Sequence, residues 1–113
     1  MVIVEKDCIF CKIIRGEAPA NFVYQNESLV AFKDIRPAAP VHILLVPRKH
    51  IRSLNELEED DRSIVSELIF SAREVARQQE IDKSGYRVHI STERGGGQFV
   101  FHLHLHLLGG WSR

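Results

Sequence analysis

The middle of the chain carries apolar residues spaced three and four positions apart, which is the pattern of a helix with one buried face. The spacing holds for about five turns and involves Ile64, Val65, Leu68, Ile69, Ala72, Val75 and Ala76. Ser53 and Glu56 precede it as a capping box, and the acidic stretch from Glu56 to Asp61 suits a helix N-terminus. We therefore predict a long amphipathic helix, with Gly85 closing this part of the chain.

Shorter apolar patterns on either side predict one more helix and several strands. Residues 8–14 place apolar side chains at helical spacing and are followed by Gly16 and Pro19, so we expect a short helix there. Strands are predicted at residues 21–25, 28–33, 41–47, 86–91 and 99–108, the last of them after a glycine-rich loop at residues 92–98. The order helix, hairpin, strand, long helix, strand, loop, strand predicts an α+β fold with a mostly antiparallel sheet.

Composition and charge disfavour several classes of protein. The 113 residues, 44% hydrophobic and 27% charged, suit a single globular domain over residues 1–113. Fifteen basic and fifteen acidic residues cancel, so we expect no nucleic-acid partner, because such binding needs a positive surface. The first seven residues lack the apolar core of a signal peptide, and the apolar run from Ile43 to Val46 is far shorter than a membrane span. We therefore expect a cytoplasmic protein with no membrane partner.

The segment 98–110 contains half of the six histidines of the chain, each followed by a leucine. These residues are His102, Leu103, His104, Leu105, His106 and Leu107. Because alternate side chains of a strand share a face, the imidazoles should line one face and the leucines should be buried on the other. Such a row of imidazoles can bind a metal ion, or can supply a nucleophile and its proton carriers. The preceding glycines at 95–97 can cradle an anion, which favours a phosphate held against a histidine.

The two cysteines, Cys8 and Cys11, form a C-x₂-C pair. A disulfide across so short a loop would add little, and the sequence gives no secretory context, so a reduced pair for metal or redox chemistry is the better interpretation. Two thiolates suit one tetrahedral metal ion, whose closed site needs two further ligands from elsewhere in the chain.

Residues 98–110, the histidine segment, resemble the histidine-triad motif of the HIT superfamily of nucleotide hydrolases and transferases. Gln98, Val100 and the three histidines follow that motif, and the Gly109-Gly110 pair is similar to the HINT branch, the nucleoside phosphoramidases. The similarity also extends over residues 8–20, 29–50 and 85–91, so that it covers nearly the whole chain. It implies a five-stranded, mostly antiparallel sheet with a short N-terminal helix and one long helix, and a homodimer in which the two sheets become continuous.

The resemblance also implies roles for individual residues. His104 would attack the α-phosphorus and form a nucleotidyl-histidine, while His106 and His42 would line the phosphate pocket. Gln98 completes the set of catalytic candidates, and Asp34 would accept hydrogen bonds from the ribose hydroxyls. The slot for base and sugar would consist of Ile9, Phe10, Phe32, Ile35 and Leu44, and the phosphate would face the backbone amides of Gly97, Gln98 and Phe99.

Two positions depart from the HINT pattern. Ser91 stands where an asparagine usually helps to bind the phosphate, and Phe99 stands where a small or polar residue, often serine, is usual. Both stay among the nucleotide-binding candidates. Because each change removes a side-chain hydrogen bond, phosphate binding should depend more on backbone amides.

Zinc-containing members of the superfamily add two histidines to the cysteine pair. The matching positions here are His50 and His102, so the resemblance implies a structural zinc site of Cys8, Cys11, His50 and His102. A site with four protein ligands contributes stability and does not activate water. No organic cofactor is expected.

These features predict a hydrolase of nucleoside 5′-phosphoramidates or related nucleotide conjugates, with a preference for purines. No Walker-type loop and no pair of Mg²⁺-binding carboxylates stands out in the sequence, so histidines and amides should stabilise the developing charge. Two alternatives stay open, a hydrolase of dinucleoside polyphosphates and a nucleotide-binding adaptor or sensor with incidental turnover.

Overall fold

The computed structural model describes residues 8–112 and contains one antiparallel sheet with two α-helices. In chain order the elements are α1 (Ile9–Ile14), β1 (Phe22–Gln25), β2 (Leu29–Lys33), β3 (Val41–Pro47), α2 (Arg62–Gln78), β4 (Tyr86–His89) and β5 (Leu105–Gly109). The strands lie in the order β1-β2-β3-β5-β4, and each neighbouring pair is antiparallel. The predicted α+β fold, with five strands, a short helix and a long helix, is confirmed.

The two helices cover opposite faces of the sheet. The face under α2 contains the larger core, to which the three leucines of the histidine segment belong: Leu103, Leu105 and Leu107. The face under α1 contains a smaller core built around Phe10, Phe32 and Leu44. His104 contacts Phe10 on this second face. The predicted separation of leucines from histidines is therefore confirmed.

The last strand is shorter than predicted. The pattern predicted a strand over residues 99–108, but β5 begins at Leu105. The preceding backbone leaves the sheet because the Leu103 N–H donates to the carbonyl of Ile51 (2.7 Å), which lies in a loop. The strand predicted at residues 86–91 likewise ends early, at His89.

The long helix begins later than its predicted capping box. The box predicted at residues 53 and 56 does not start the helix, because Ser53 caps a separate 3₁₀ turn there. The observed capping box joins Glu58 and Asp61, directly before α2. Asp61 is buried, and the Lys49 ammonium donates to its carboxylate (2.7 Å), which lowers the pKa of that carboxyl. This ion pair fixes the point at which the chain turns into the helix.

One face of α2 is buried as its spacing predicts, through Leu68, Ala72, Val75 and Ala76. Ile69, which was assigned to the same face, is 50% exposed, and its neighbour Phe70 is 57% exposed. Within residues 8–112, none of the helices has the length and apolar character that a membrane crossing requires.

Candidate active site

A cavity of about 260 Å³ opens on the face of the sheet that carries α1. Its apolar wall forms because α1 lays Phe10 against β2, where the rings of Phe10 and Phe32 meet edge to face with centroids 5.5 Å apart. The same cavity is lined by Asp34, His104 and His106. An apolar slot beside a carboxylate and two imidazoles suits a ligand that combines an aromatic ring, hydroxyl groups and an anion.

A single hydrogen bond determines which nitrogen of His104 carries the proton. Its Nδ1 lies 2.7 Å from the carbonyl oxygen of His102, and because a carbonyl can only accept, Nδ1–H is the donor. The other ring nitrogen, Nε2, then has a free lone pair. Burial lowers the pKa of His104, which favours this neutral form at neutral pH. His104 therefore has the protonation state that a nucleophile needs.

A chain of hydrogen bonds gives His106 the opposite tautomer. The backbone N–H of Ala38 donates to Nδ1 of His42 (3.0 Å), so His42 carries its proton on Nε2. That Nε2–H donates to Nδ1 of His106 (3.0 Å), which leaves His106 with its proton on Nε2. Burial and then the neighbouring imidazoles lower the pKa of His106 to about 4. The cavity thus holds an N–H group of His106 next to the lone pair of His104, with the two ring centroids 4.9 Å apart.

Asp34 is held in place by its own local backbone. Its Oδ1 accepts a hydrogen bond from the Arg36 N–H (2.8 Å), as in a turn closed by an aspartate side chain. Its Oδ2 lies 3.5 Å from Nε2 of His42. Burial lowers the pKa of His42, and the carboxylate of Asp34 partly opposes this effect. The carboxylate therefore stands at the cavity beside a neutral imidazole.

The structure brings most of the predicted nucleotide-binding residues to this cavity. They are Ile9, Phe10, Phe32, Asp34, Ile35, Leu44, Gly97, Phe99, His104 and His106. Ile35 is 92% exposed and Phe99 is 86% exposed, so both stand at the cavity mouth. Ser91 and Gln98 are not among the lining residues.

Several residues that line the cavity were not predicted from the sequence, among them Ile13, Lys33 and Val100. Ile13 follows Ile9 by four positions in the predicted helix, so the helical spacing contained the necessary signal. Lys33 directly precedes Asp34 and carried no signal of its own.

The buried side chain of Gln98 stabilises the glycine-rich loop through hydrogen bonds. It donates through Nε2 to the carbonyl of Arg52 (2.7 Å), and its Oε1 accepts from the Glu93 N–H (2.7 Å). The backbone amides of Gly97 and Gln98 donate to carbonyls three and five residues earlier, each at 3.0 Å. We expected these two amides to face the phosphate, and this stays a prediction; in the structure both donate within the loop.

The four predicted metal ligands, Cys8, Cys11, His50 and His102, bring their ligand atoms within 4.8 Å of one another. Sγ of Cys11 lies 3.3 Å from Nδ1 of His50 and 3.6 Å from Nδ1 of His102. The two Nδ1 atoms are 3.1 Å apart, and Sγ of Cys8 lies 3.4 Å from the Nδ1 of His102. A tetrahedral ion with sulfur at about 2.3 Å and nitrogen at about 2.1 Å places its ligand atoms about 3.4–3.8 Å apart. The cluster is close to this spacing and could hold a metal ion.

The surroundings of the cluster orient its ligands. Nε2–H of His102 donates to the carbonyl of Pro47 (2.8 Å), so the lone pair on Nδ1 faces the sulfur atoms. The Cys11 N–H donates to Sγ of Cys8 (3.3 Å), which fixes the position of that sulfur atom. His102 therefore belongs to this cluster, and the two following histidines remain at the cavity.

Comparisons with known proteins find relatives along almost the full chain. Residues 7–111 match the family model described as scavenger mRNA decapping enzyme C-term binding. The chain is 43% identical to the purine nucleoside phosphoramidase of Escherichia coli K12 over 105 residues, which cover 93% of this chain and 88% of that protein.

Solved structures show the same similarity. A histidine triad protein from Clostridium difficile superposes with a TM-score of 0.93 and 40% identity, over 98% of this chain and 96% of that chain. A zinc-bound histidine triad family protein from Mycobacterium smegmatis superposes with a TM-score of 0.82 and 29% identity, over 94% of this chain and 76% of that chain.

Proposed function

The chain belongs to the histidine-triad (HIT) superfamily, and on that premise we propose that it is a nucleotide hydrolase that cleaves nucleoside 5′-phosphoramidates. The observation that carries this proposal is the pairing of tautomers at the cavity, with a lone pair on Nε2 of His104 beside the N–H of His106. One imidazole can attack the phosphorus as a nucleophile while its neighbour acts as the general acid and base, and covalent catalysis of this kind needs both groups.

The reaction proceeds in two displacements at the α-phosphorus. In the first, Nε2 of His104 forms a bond to phosphorus, and the bond from phosphorus to the amine nitrogen breaks. The leaving amine takes the Nε2 proton of His106. His106 enters this step as an imidazolium, with a second proton on Nδ1 in place of the hydrogen bond from His42, and this protonated form is favoured once the phosphate anion lies beside it. In the second, water attacks the phosphorus, the bond to His104 breaks, and the proton from water returns to His106. The products are a nucleoside monophosphate and a free amine.

The cavity suggests how the nucleotide would bind. Phe10 and Phe32 would contact the base, and Asp34 would accept hydrogen bonds from the ribose hydroxyls. The phosphate would then lie at His104 and His106, which line the same cavity. A preference for purines is supported by the name of the Escherichia coli relative.

The cluster of Cys8, Cys11, His50 and His102 would hold a structural zinc ion. Two thiolates and two imidazoles suit zinc, and the tautomer of His102 leaves its Nδ1 free to ligate. The ion would join α1 to the segment before β5 and so keep Phe10 and His104 in register. Since all four positions would be protein ligands, it supplies stability and no bound water for the reaction.

A homodimer formed through β4 completes the proposal. Among the strands of residues 8–112, β4 lies at one edge of the sheet, and its four residues are exposed. The exposed apolar side chains of Tyr86, Val88, Ile69 and Phe70 lie on β4 and α2. An unpaired edge with apolar neighbours is a template for a second chain. Light scattering at micromolar concentration should give twice the chain mass, and a particle of 12.9 kDa would count against the dimer.

Location in the cytoplasm stays a prediction.

Steady-state turnover separates the three functions that the sequence left open. We expect an adenosine 5′-phosphoramidate to be hydrolysed faster than a diadenosine polyphosphate, with His104→Ala as the matched inactive control. The reverse order would favour a polyphosphate hydrolase. Tight binding of nucleotide with turnover of neither compound would favour an adaptor or sensor.

A further inference from the structure

His89 is an imidazole that the proposed reaction does not use. It ends β4 and is paired in register with His106 across the antiparallel ladder to β5. The two rings are nearly parallel, at an angle of 16°, and their centroids lie 4.5 Å apart. His89 therefore shares the face of the sheet that carries the reacting histidines.

Among the described residues, the other imidazoles next to His106 do not lie flat against its ring. The hydrogen bond from His42 holds one edge of the ring, at Nδ1, and the rings of His42 and His104 are tilted to it by 43° and 56°. The torsion that orients an imidazole about its Cβ–Cγ bond is broad, so one edge contact permits the ring to swing. A parallel ring against its face removes that freedom.

Neither His42 nor His89 is among the residues that line the cavity, whereas His106 is. His106 is thus held by two imidazoles that stand outside the cavity, one at its edge and one at its face. Nucleotide bound in the cavity would contact His106 and leave the stack intact.

We propose that His89 is a positioning residue for His106, because its stacked ring holds the His106 imidazole in the orientation in which Nε2–H serves the reaction. This inference rests on the proposed function only in taking His106 as the proton carrier.

The charges around His106 agree with this arrangement. Burial is the main cause that lowers the pKa of His106, followed by the imidazoles of His104, His89 and His42, while the carboxylate of Asp34 opposes them. His89 also contributes to lowering the pKa of His42 and of His104. The same residue therefore contacts one reacting imidazole and acts electrostatically on its neighbours.

Three variants separate stacking from other roles. His89→Ala removes the ring, His89→Phe keeps a flat ring without its nitrogens, and Lys83→Ala truncates an exposed residue in the turn before β4. Light scattering on each variant checks that its oligomeric state equals that of the wild type.

We expect His89→Ala to lower kcat about three- to tenfold, the size of a lost aromatic contact, with KM changed less than about twofold. His89→Phe should keep kcat within about twofold of wild type, and Lys83→Ala should leave it unchanged. Wild-type kcat in His89→Ala would overturn the proposal. A His89→Phe variant as slow as His89→Ala would also overturn it, since a stacked ring would then not suffice.

Proton NMR of the His106 ring tests the same claim without turnover. In wild type and in His89→Phe, nuclear Overhauser contacts should report one ring orientation, with Nδ1 towards His42, and in His89→Ala they should report averaging over more than one orientation. The pKa of His106 should rise above about 4 in His89→Phe, because one of the imidazoles that lower it is gone. If the protein hydrolyses no phosphoramidate, the proposed function fails, and the ring orientation then tests the positioning role by itself: an unchanged orientation of His106 in His89→Ala would reject it.

Discussion

Replacing Phe10 by alanine should reduce stability and nucleotide binding together, whereas replacing Phe99 should affect binding alone. Both rings line the cavity, but Phe10 is 5% exposed and Phe99 is 86% exposed. The Phe10 ring meets those of Phe32, His102 and His104 at centroid distances of 5.5, 5.9 and 5.0 Å. Truncating a phenylalanine buried in this way costs about 3–5 kcal/mol of unfolding free energy. Truncating an exposed one costs less than about 0.5 kcal/mol.

Urea unfolding measures the difference directly. Small domains are stable by only about 5–15 kcal/mol, so Phe10→Leu is a useful third variant that should keep the fold at a cost of about 1–2 kcal/mol. Calorimetric titration with nucleoside monophosphate should show weaker binding for the Phe10 and Phe99 variants alike. If Phe10→Ala lowers the free energy of unfolding by less than about 1 kcal/mol, the packing of α1 against the sheet is refuted. The same holds if Phe99→Ala lowers it as much as Phe10→Ala does.

Three further changes test other parts of the site. Asp34→Ala should weaken the binding of ribonucleotides more than that of 2′,3′-dideoxy analogues in calorimetry, and equal losses would make Asp34 structural. The double variant Cys8→Ser/Cys11→Ser should contain about one zinc ion fewer per chain than the wild type and should melt at a lower temperature. If a strong chelator leaves the melting temperature of the wild type unchanged, the zinc site is contradicted. NMR titration should give His106 a pKa near 4 instead of 6.5. As the pH falls, the unfolded chain binds a proton on His106 near pH 6.5, before the folded protein does. The free energy of unfolding should therefore decrease as the pH drops from 6.5 towards 4. A His106 pKa of 6.5 in the folded protein would contradict this prediction.

The alternation of side chains in the histidine segment was sufficient to predict which face each residue occupies. Leu103 is buried under α2, and His104 faces α1, although the strand itself begins only at Leu105. The alternation therefore predicted the face of each side chain correctly, although the predicted start of the strand was wrong. The boundary depends on a hydrogen bond to Ile51, about 50 residues earlier in the chain, which no local pattern indicates.

The partner of His106 could not be predicted for a related reason. Stacking with His89 follows from the register between β4 and β5, and register depends on how two distant segments pair. The tautomers of His104 and His106 are likewise set by carbonyl and amide groups of the folded backbone, those of His102 and Ala38. The residue types thus indicated the chemistry, and only the fold assigned the proton positions.

The nucleophilic role of His104 is tested most directly by trapping the covalent intermediate. Wild-type protein is mixed with a nucleoside 5′-phosphoramidate, quenched in alkaline denaturant because phosphorus–imidazole bonds are labile in acid, and analysed by intact and peptide mass spectrometry. We expect a mass increase of one nucleoside monophosphoryl group, located on His104 and absent from His104→Ala. An adduct on His106 or His42, or turnover that persists in His104→Ala, would contradict the assignment.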